Sequence, residues 1–427
     1  MRARSRPDHT PLPRLAGEKM AGLVLAVFLA APALAQSDND LHGRLEVQDA
    51  GQFSGPDSIQ SSLGAAAADD ALANLRFTWE PSWGGWSLQT AYLVSVDDGP
   101  DVLLARAESG LIKIPPPTMF DLTDTFVDHG RVLASQTIDR LAIAYTTPDL
   151  VVRVGRQAIT WGSGLVFRPM DLFDPFSPSA TDTEYKPGVD MIYVQRLFAD
   201  GSDLQVIVAP RPDQFGGPPT ANASSFAAHY AATFFGHATT LLLARDHGDW
   251  VAGLGVNGAL SGATWNLELV PTFERSGATR VSSLANISDA VTIAGRNATV
   301  FGEYFHNGFG VAAGLFDLAD LPADLTTRLA RGQLFNLRQD YLAGGMTLEA
   351  TPLLNLTPTL IADLDDGSAF LLFAATYSLG DNLTLIGGAQ APIGRRGSEF
   401  GGLPLSATSP LLLAPPGQTY LQLRRYF

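Results

Sequence analysis

The chain has 427 residues, no cysteine, and 43 acidic against 28 basic residues, for a formal net charge of −15. Only 17% of its residues are charged while 46% are hydrophobic, whereas a soluble domain carries about a quarter charged residues. The absence of cysteine excludes a disulfide framework, a thiolate metal site and a lipid-modified cysteine anchor. The acidic balance argues against a nucleic-acid partner, whose phosphates need a basic face.

The elements follow in chain order. Arg2, Arg4, Arg6, Arg14 and Lys19 precede an apolar run over 21–31, and Ala33-Leu34-Ala35 gives a small-x-small cleavage site before Gln36. This pattern predicts a secretory signal peptide over 1–35 and a mature domain over 36–427. The apolar run is too short for a membrane anchor and is broken by Pro32. No later apolar run reaches the length of a transmembrane helix. Export without such a helix leaves a soluble periplasmic protein or a closed barrel.

Strand-length segments with period-two alternation then recur. Leu75, Phe77 and Trp79 alternate with Asn74, Arg76 and Thr78; Leu141, Ile143 and Tyr145 with Arg140, Ala142 and Ala144; Trp265, Leu267 and Leu269 with Thr264, Asn266 and Glu268. Apolar residues on one face and small or polar ones on the other give the lipid/lumen pattern of a membrane barrel. The segments are 41–49, 72–80, 86–96, 137–146, 150–158, 188–198, 203–209, 238–245, 250–258, 263–273, 290–305, 341–350, 354–363, 368–378, 383–390 and 418–427. That is about 16 strands. It becomes 18 if Phe226–Phe235 and Arg280–Ile293 are strands of their own, which would also remove an awkwardly long periplasmic turn at 274–289. Short connections alternate with long ones (97–136, 159–187, 210–237, 391–417), as in barrels with short periplasmic turns and long extracellular loops. Residues 36–71 are too few for a separate plug domain, and Leu321–Gln333 could form a short helix on a loop. The last strand, Thr419 to Phe427, alternates so that Leu421, Leu423, Arg425 and Phe427 share the lipid face, while Tyr420, Gln422 and Arg424 face the lumen. Tyr426 and Phe427 resemble the terminal signal read by the barrel assembly machinery.

The most distinctive stretch is Arg153-Val154-Gly155-Arg156-Gln157, then Trp161-Gly162-Ser163-Gly164, then Phe167 to Pro178, closing on Tyr185-Lys186-Pro187. The GRQ…WG run resembles Gram-negative porin-like barrels, including those related to alginate-export channels. Asp366-Gly367-Ser368, Gly394, Ser398-Glu399-Phe400-Gly401 and the terminal strand add to the likeness. It implies an outer-membrane location among lipid and lipopolysaccharide, and a loop after the fifth strand that folds into the lumen. Gly155 allows a kink or bulge, which would turn Arg156 inward; otherwise Arg156 must lie above the hydrocarbon. Arg153, Arg156, Gln157, Arg168, Asp171, Asp174 and Lys186 are the candidate pore-constriction residues. Opposed charges there would set a transverse field that selects solutes.

Other motifs are weaker. The seven histidines lack metal-ligand spacing, and Asp363 to Gly367 reads as a hairpin turn rather than a calcium loop. Gly162-Ser163-Gly164 is not in the register of a nucleophile elbow. The six tryptophans fit an aromatic girdle at the membrane interface. No catalytic group, metal or cofactor is expected. The leading reading is a channel for small polar or charged solutes. The alternatives are a non-conducting barrel that binds polysaccharide or a partner, and an outer-membrane hydrolase.

Overall fold

The alternating segments do become strands. The computed structural model describes residues 41–427 except 63, 65, 109–117, 215, 313, 315–317 and 407; the expected signal peptide over 1–35 and Gln36 lie outside the described residues. Eighteen antiparallel strands form the wall. They are β1 (Leu41–Phe53), β2 (Ala67–Trp79), β3 (Trp86–Asp98), β4 (Val132–Thr146), β5 (Leu150–Gln157), β6 (Val189–Leu197), β7 (Asp203–Ala209), β8 (Ser225–Phe234), β9 (His237–Asp246), β10 (Asp249–Leu260), β11 (Ala263–Phe273), β12 (Thr279–Ile293), β13 (Arg296–His306), β14 (Asp340–Thr351), β15 (Leu354–Asp363), β16 (Ala369–Gly380), β17 (Leu383–Ile393) and β18 (Gly417–Tyr426). Each pairs with the next, and β18 pairs with β1 over Arg44↔Tyr426 to Phe53↔Gly417, which closes the sheet. Closure leaves no open edge, the condition for strands to cross a bilayer.

The count of sixteen is therefore corrected to eighteen. The long loop expected at 210–237 contains β8, and the single strand expected at 290–305 is two strands that turn at Ala294 and Gly295, both at positive φ. The connection drawn as a periplasmic turn at 274–289 is a short loop over 274–278 followed by β12. Both strands are blurred for the same reason: Phe226–Phe234 and Thr279–Ile293 carry alanine and serine at positions where alternation is usually marked by leucine or threonine.

The connections sort by end. At one, the turn end, strands join through tight links such as 147–149, 235–236, 261–262, 352–353 and 381–382. The other, the loop end, carries 99–131, 158–188, 307–339 and 394–416, together with compact links at 247–248 and 274–278. Within the loops, helix α1 (Pro100–Glu108) follows β3 and helix α2 (Ala323–Ala330) falls inside the expected 321–333 segment.

Parity divides the wall into two faces. Leu141, Ile143, Ile192, Leu241, Leu243, Leu267, Leu269, Leu342, Leu371 and Leu421 point outward and are exposed, a band that suits hydrocarbon rather than water. Trp79, Trp83, Trp86 and Trp250 are exposed too, as a girdle requires. Trp161 departs from that expectation: it lies inside the barrel and is only 4% exposed.

Candidate functional site

Strands β5 to β8 are short, seven to ten residues each. The chain leaves the wall after Gln157 and returns at Val189, and the 158–188 loop between them bonds to inward-facing side chains around the barrel. It therefore lies within the lumen, not above it.

One flank of the loop is apolar. Trp161, Met170 and Phe173 pack with Met191 and Tyr193 of β6, Ile207 of β7, Leu242 of β9, Val251 of β10 and Val270 of β11. Trp161 stacks on His229 at 5.0 Å between ring centres and donates its indole N–H to Gln205 Oε1 at 2.9 Å. Met170 fits against bare backbone: a Cβ added at Gly253 would stand 3.0 Å from its Cε. Further round, Phe167 stacks on Phe305 at 4.6 Å and joins Leu284, Tyr341, Ile361 and Phe370.

The other flank is charged. Arg44 of β1 donates to Asp182 at 2.7 Å and to Glu184 at 2.9 Å. Arg424 of β18 binds Glu46 at 2.6 Å and reaches Asp182 at 3.2 Å. The Tyr185 ring faces the guanidinium of Arg44 at 4.8 Å and that of Arg76 at 4.2 Å, a cation–π arrangement. Arg76 binds Asp139 at 2.6 Å, and Arg140 binds the same carboxylate at 2.8 Å. Burial pushes the Asp182 carboxyl up, but the hydrogen bonds and charges of Arg44 and Arg424 outweigh it and hold Asp182 below its usual value.

The seven residues singled out in the sequence do not form one ring. Arg156 and Asp190 make a buried two-point pair, at 2.9 Å from Nε and 2.8 Å from Nη2. Gly155 makes this possible at φ 126, where a Cβ would stand 2.1 Å from the Leu141 carbonyl oxygen. The ladder to β4 stays in register through Ala142↔Gly155, so the expected bulge is a glycine distortion without an inserted residue. Arg153 lies over the Tyr193 ring at 5.6 Å and donates to Gln157, which is 1% exposed. Arg168 lies over Phe176 at 5.9 Å. Lys186 binds both oxygens of Asp171 at 2.7 Å. Burial pushes Asp171 up to about 6 although Lys186 opposes it, and burial lowers Lys186. Asp174 stands at φ 50 and lines a cavity of about 290 Å³ with Asp139, Arg156, Asp190 and Arg211. Of the terminal pair, Tyr426 donates to Glu184 at 2.7 Å, and the Phe427 ring lies against Gly43 and 5.9 Å from Phe77.

The wall arginines Arg44, Arg76, Arg140 and Arg424 are functional candidates that the motif search passed over. The signal was present, since each occupies the lumen parity of an alternating strand. His229 packs on Trp161 and His237 on Trp265. Among the described residues no group of three or more histidine, aspartate or glutamate side chains could hold a metal ion. Asp363 accepts the backbone N–H of Asp365 at 2.8 Å, as a hairpin would.

No family model matches the sequence, and no curated protein matches it. Solved structures do resemble it. OccK5 (OpdH) of Pseudomonas aeruginosa superposes with a TM-score of 0.53 at 7% identity, covering 91% of this chain and 98% of that one. OccAB3 of Acinetobacter baumannii gives 0.53 at 9% identity, covering 91% and 99%. OccK2 (OpdF) of Pseudomonas aeruginosa, solved in complex with glucuronate, gives 0.51 at 11% identity, covering 91% and 98%. These are outer-membrane porins, and this chain shares their closed antiparallel barrel fold.

Proposed function

We propose that the protein is an outer-membrane channel through which small polar or charged solutes diffuse along a narrow, charge-lined lumen. The apolar band would sit in the outer-membrane bilayer, with the turn end periplasmic and the loop end outside. The observation that carries this reading is the 158–188 loop, bonded to the wall from inside and meeting it on one flank through arginines and carboxylates. Guanidinium groups stay charged at any working pH. Set against Asp182, Glu184 and Asp139, the arginines create a field across the passage that favours solutes able to exchange with those pairs.

The test is conductance of the purified barrel in a planar bilayer. A small, ion-selective single-channel current is expected, with selectivity that weakens in high salt as the charges are screened. A second reading also has an observation behind it: Arg44, Glu46 and Gln422 are at most 4% exposed, as in a barrel closed at that level that acts through its surface loops. Complete absence of conductance from well-folded protein would favour that second reading and sink the first.

A further inference from the structure

The apolar flank contains two carboxylates. Glu268 of β11 and Glu303 of β13 point into the lumen and are 4% and 1% exposed. Among the described residues neither makes an ion pair with a lysine, arginine or histidine within 4.0 Å. Their partners are loop backbone. Glu303 accepts the N–H of Leu165 at 2.6 Å, of Val166 at 2.9 Å and of Phe167 at 2.8 Å, and the Asn286 side chain at 3.0 Å. Glu268 accepts the Ser163 N–H. Asn286 donates to the Ser163 carbonyl at 3.0 Å and so ties the same turn a second time.

In a strand successive N–H groups point to opposite sides, so three consecutive N–H groups aimed at one carboxylate require a local turn of the backbone. The loop backbone at 165–167 wraps the Glu303 carboxylate in such a turn. A buried carboxylate is costly unless it is fully hydrogen-bonded, and such charge-assisted bonds are about twice as strong as neutral ones. The arrangement also fixes position: the two glutamates lie on strands separated by β12, so the turn between Trp161 and Phe167 is held at two points.

We propose that Glu268 and Glu303 are positioning residues that latch the 158–188 loop across the lumen, and that the loop's anionic anchors, rather than its apolar contacts alone, set the width of the passage. This rests on the channel reading, and the experiment separates the two. Glu268→Gln and Glu303→Gln, singly and together, are compared in bilayers with the parent and with a chain lacking residues 169–178. Heat-modifiable migration reports whether each barrel has folded. The expected result is that the double variant folds and conducts with severalfold larger or fluctuating current, moving toward the deletion, while Glu303→Asp, which keeps the anion, returns part of the parent's steady level. If the deletion enlarges conductance but the double variant keeps the parent's single level, the latch is wrong and the channel reading stands. If neither change alters the current, the loop does not limit the passage and the latch is overturned; if the folded parent does not conduct at all, the channel reading falls with it. Should the double variant fail to insert, Asn286→Ala removes one donor to Glu303 and the Ser163 tie; added current noise supports the latch, and an unchanged trace counts against it.

Discussion

The inner wall has two unlike sectors. From β6 round to β16 it meets the loop chiefly through Trp161, Phe167, Met170 and Phe173, with Glu268 and Glu303 bonded to loop backbone; its other buried carboxylates include Asp190 of β6, paired with Arg156, and Asp246 of β9. From β18 through β1, β2 and β4 it meets the loop through Asp182, Glu184, Tyr185 and the Lys186 carbonyl against Arg44, Arg76, Arg140 and Arg424. In the proposed channel the two sectors would do different work. Apolar contacts have no partner that a polar solute can replace, so the first sector holds the loop. Ion pairs can be exchanged for the charged groups of a passing solute, so in the proposed channel the second is where selection would take place.

The comparison can be broken most directly by deleting residues 169–178, which removes Met170 and Phe173 from the holding sector. Single-channel conductance should rise more than for any point change; an unaltered current would mean that the loop does not limit the passage. Next, Phe173→Ala or Trp161→Ala should each cost about 3–5 kcal/mol by opening a cavity. This would be measured as a lower unfolding midpoint with extra current noise, whereas substitutions among the paired arginines should leave current steadier. Third, Arg44→Ser and Arg424→Ser strip the positive side from Glu46, Asp182 and Glu184. Reversal potentials should move toward cation selectivity, and the shift should shrink in high salt. No shift would remove these arginines from the passage.

The smallest effect concerns pH. Asp171 is raised to about 6 by burial, so its folded form binds a proton more readily than its unfolded form. Its contribution to stability is therefore full below the ordinary carboxylate value and is lost as pH rises through about 6. Acidifying from neutral to pH 5 should firm the loop slightly while leaving Lys186 uncompensated, nudging selectivity toward anions. Asp171→Asn should abolish that dependence, and an unchanged titration in the variant would assign it elsewhere.

Much of this was legible in the sequence. Alternation located the wall, and the density of proline, arginine and aspartate after the fifth strand marked the loop. Parity had already placed Arg76, Arg140 and Arg424 on the lumen face. Partners were not legible: that Arg156 meets Asp190, or that Glu303 gathers three N–H groups 136 to 138 residues away, depends on how the loop crosses the barrel. Trp161 misled because a tryptophan near a strand end satisfies the girdle pattern as well as it satisfies a core. The GRQ…WG likeness to alginate-export barrels is carried by sequence pattern alone.

The seam between β1 and β18 has a consequence for how the chain is made. Arg424 binds Glu46 across a sequence separation of 378 residues, and the final Phe427 lies over Gly43. Such distant pairing forms late and slowly because its loop-closure entropy must be met before any contact rewards it. Until then both outer strands expose unpaired backbone, the hazard of every open sheet. The Phe427 ring and this ion pair give the two edges of the nascent sheet a reason to prefer each other over a second chain, so the pairing of β18 with β1 decides whether the molecule finishes as a closed cylinder or as an aggregate.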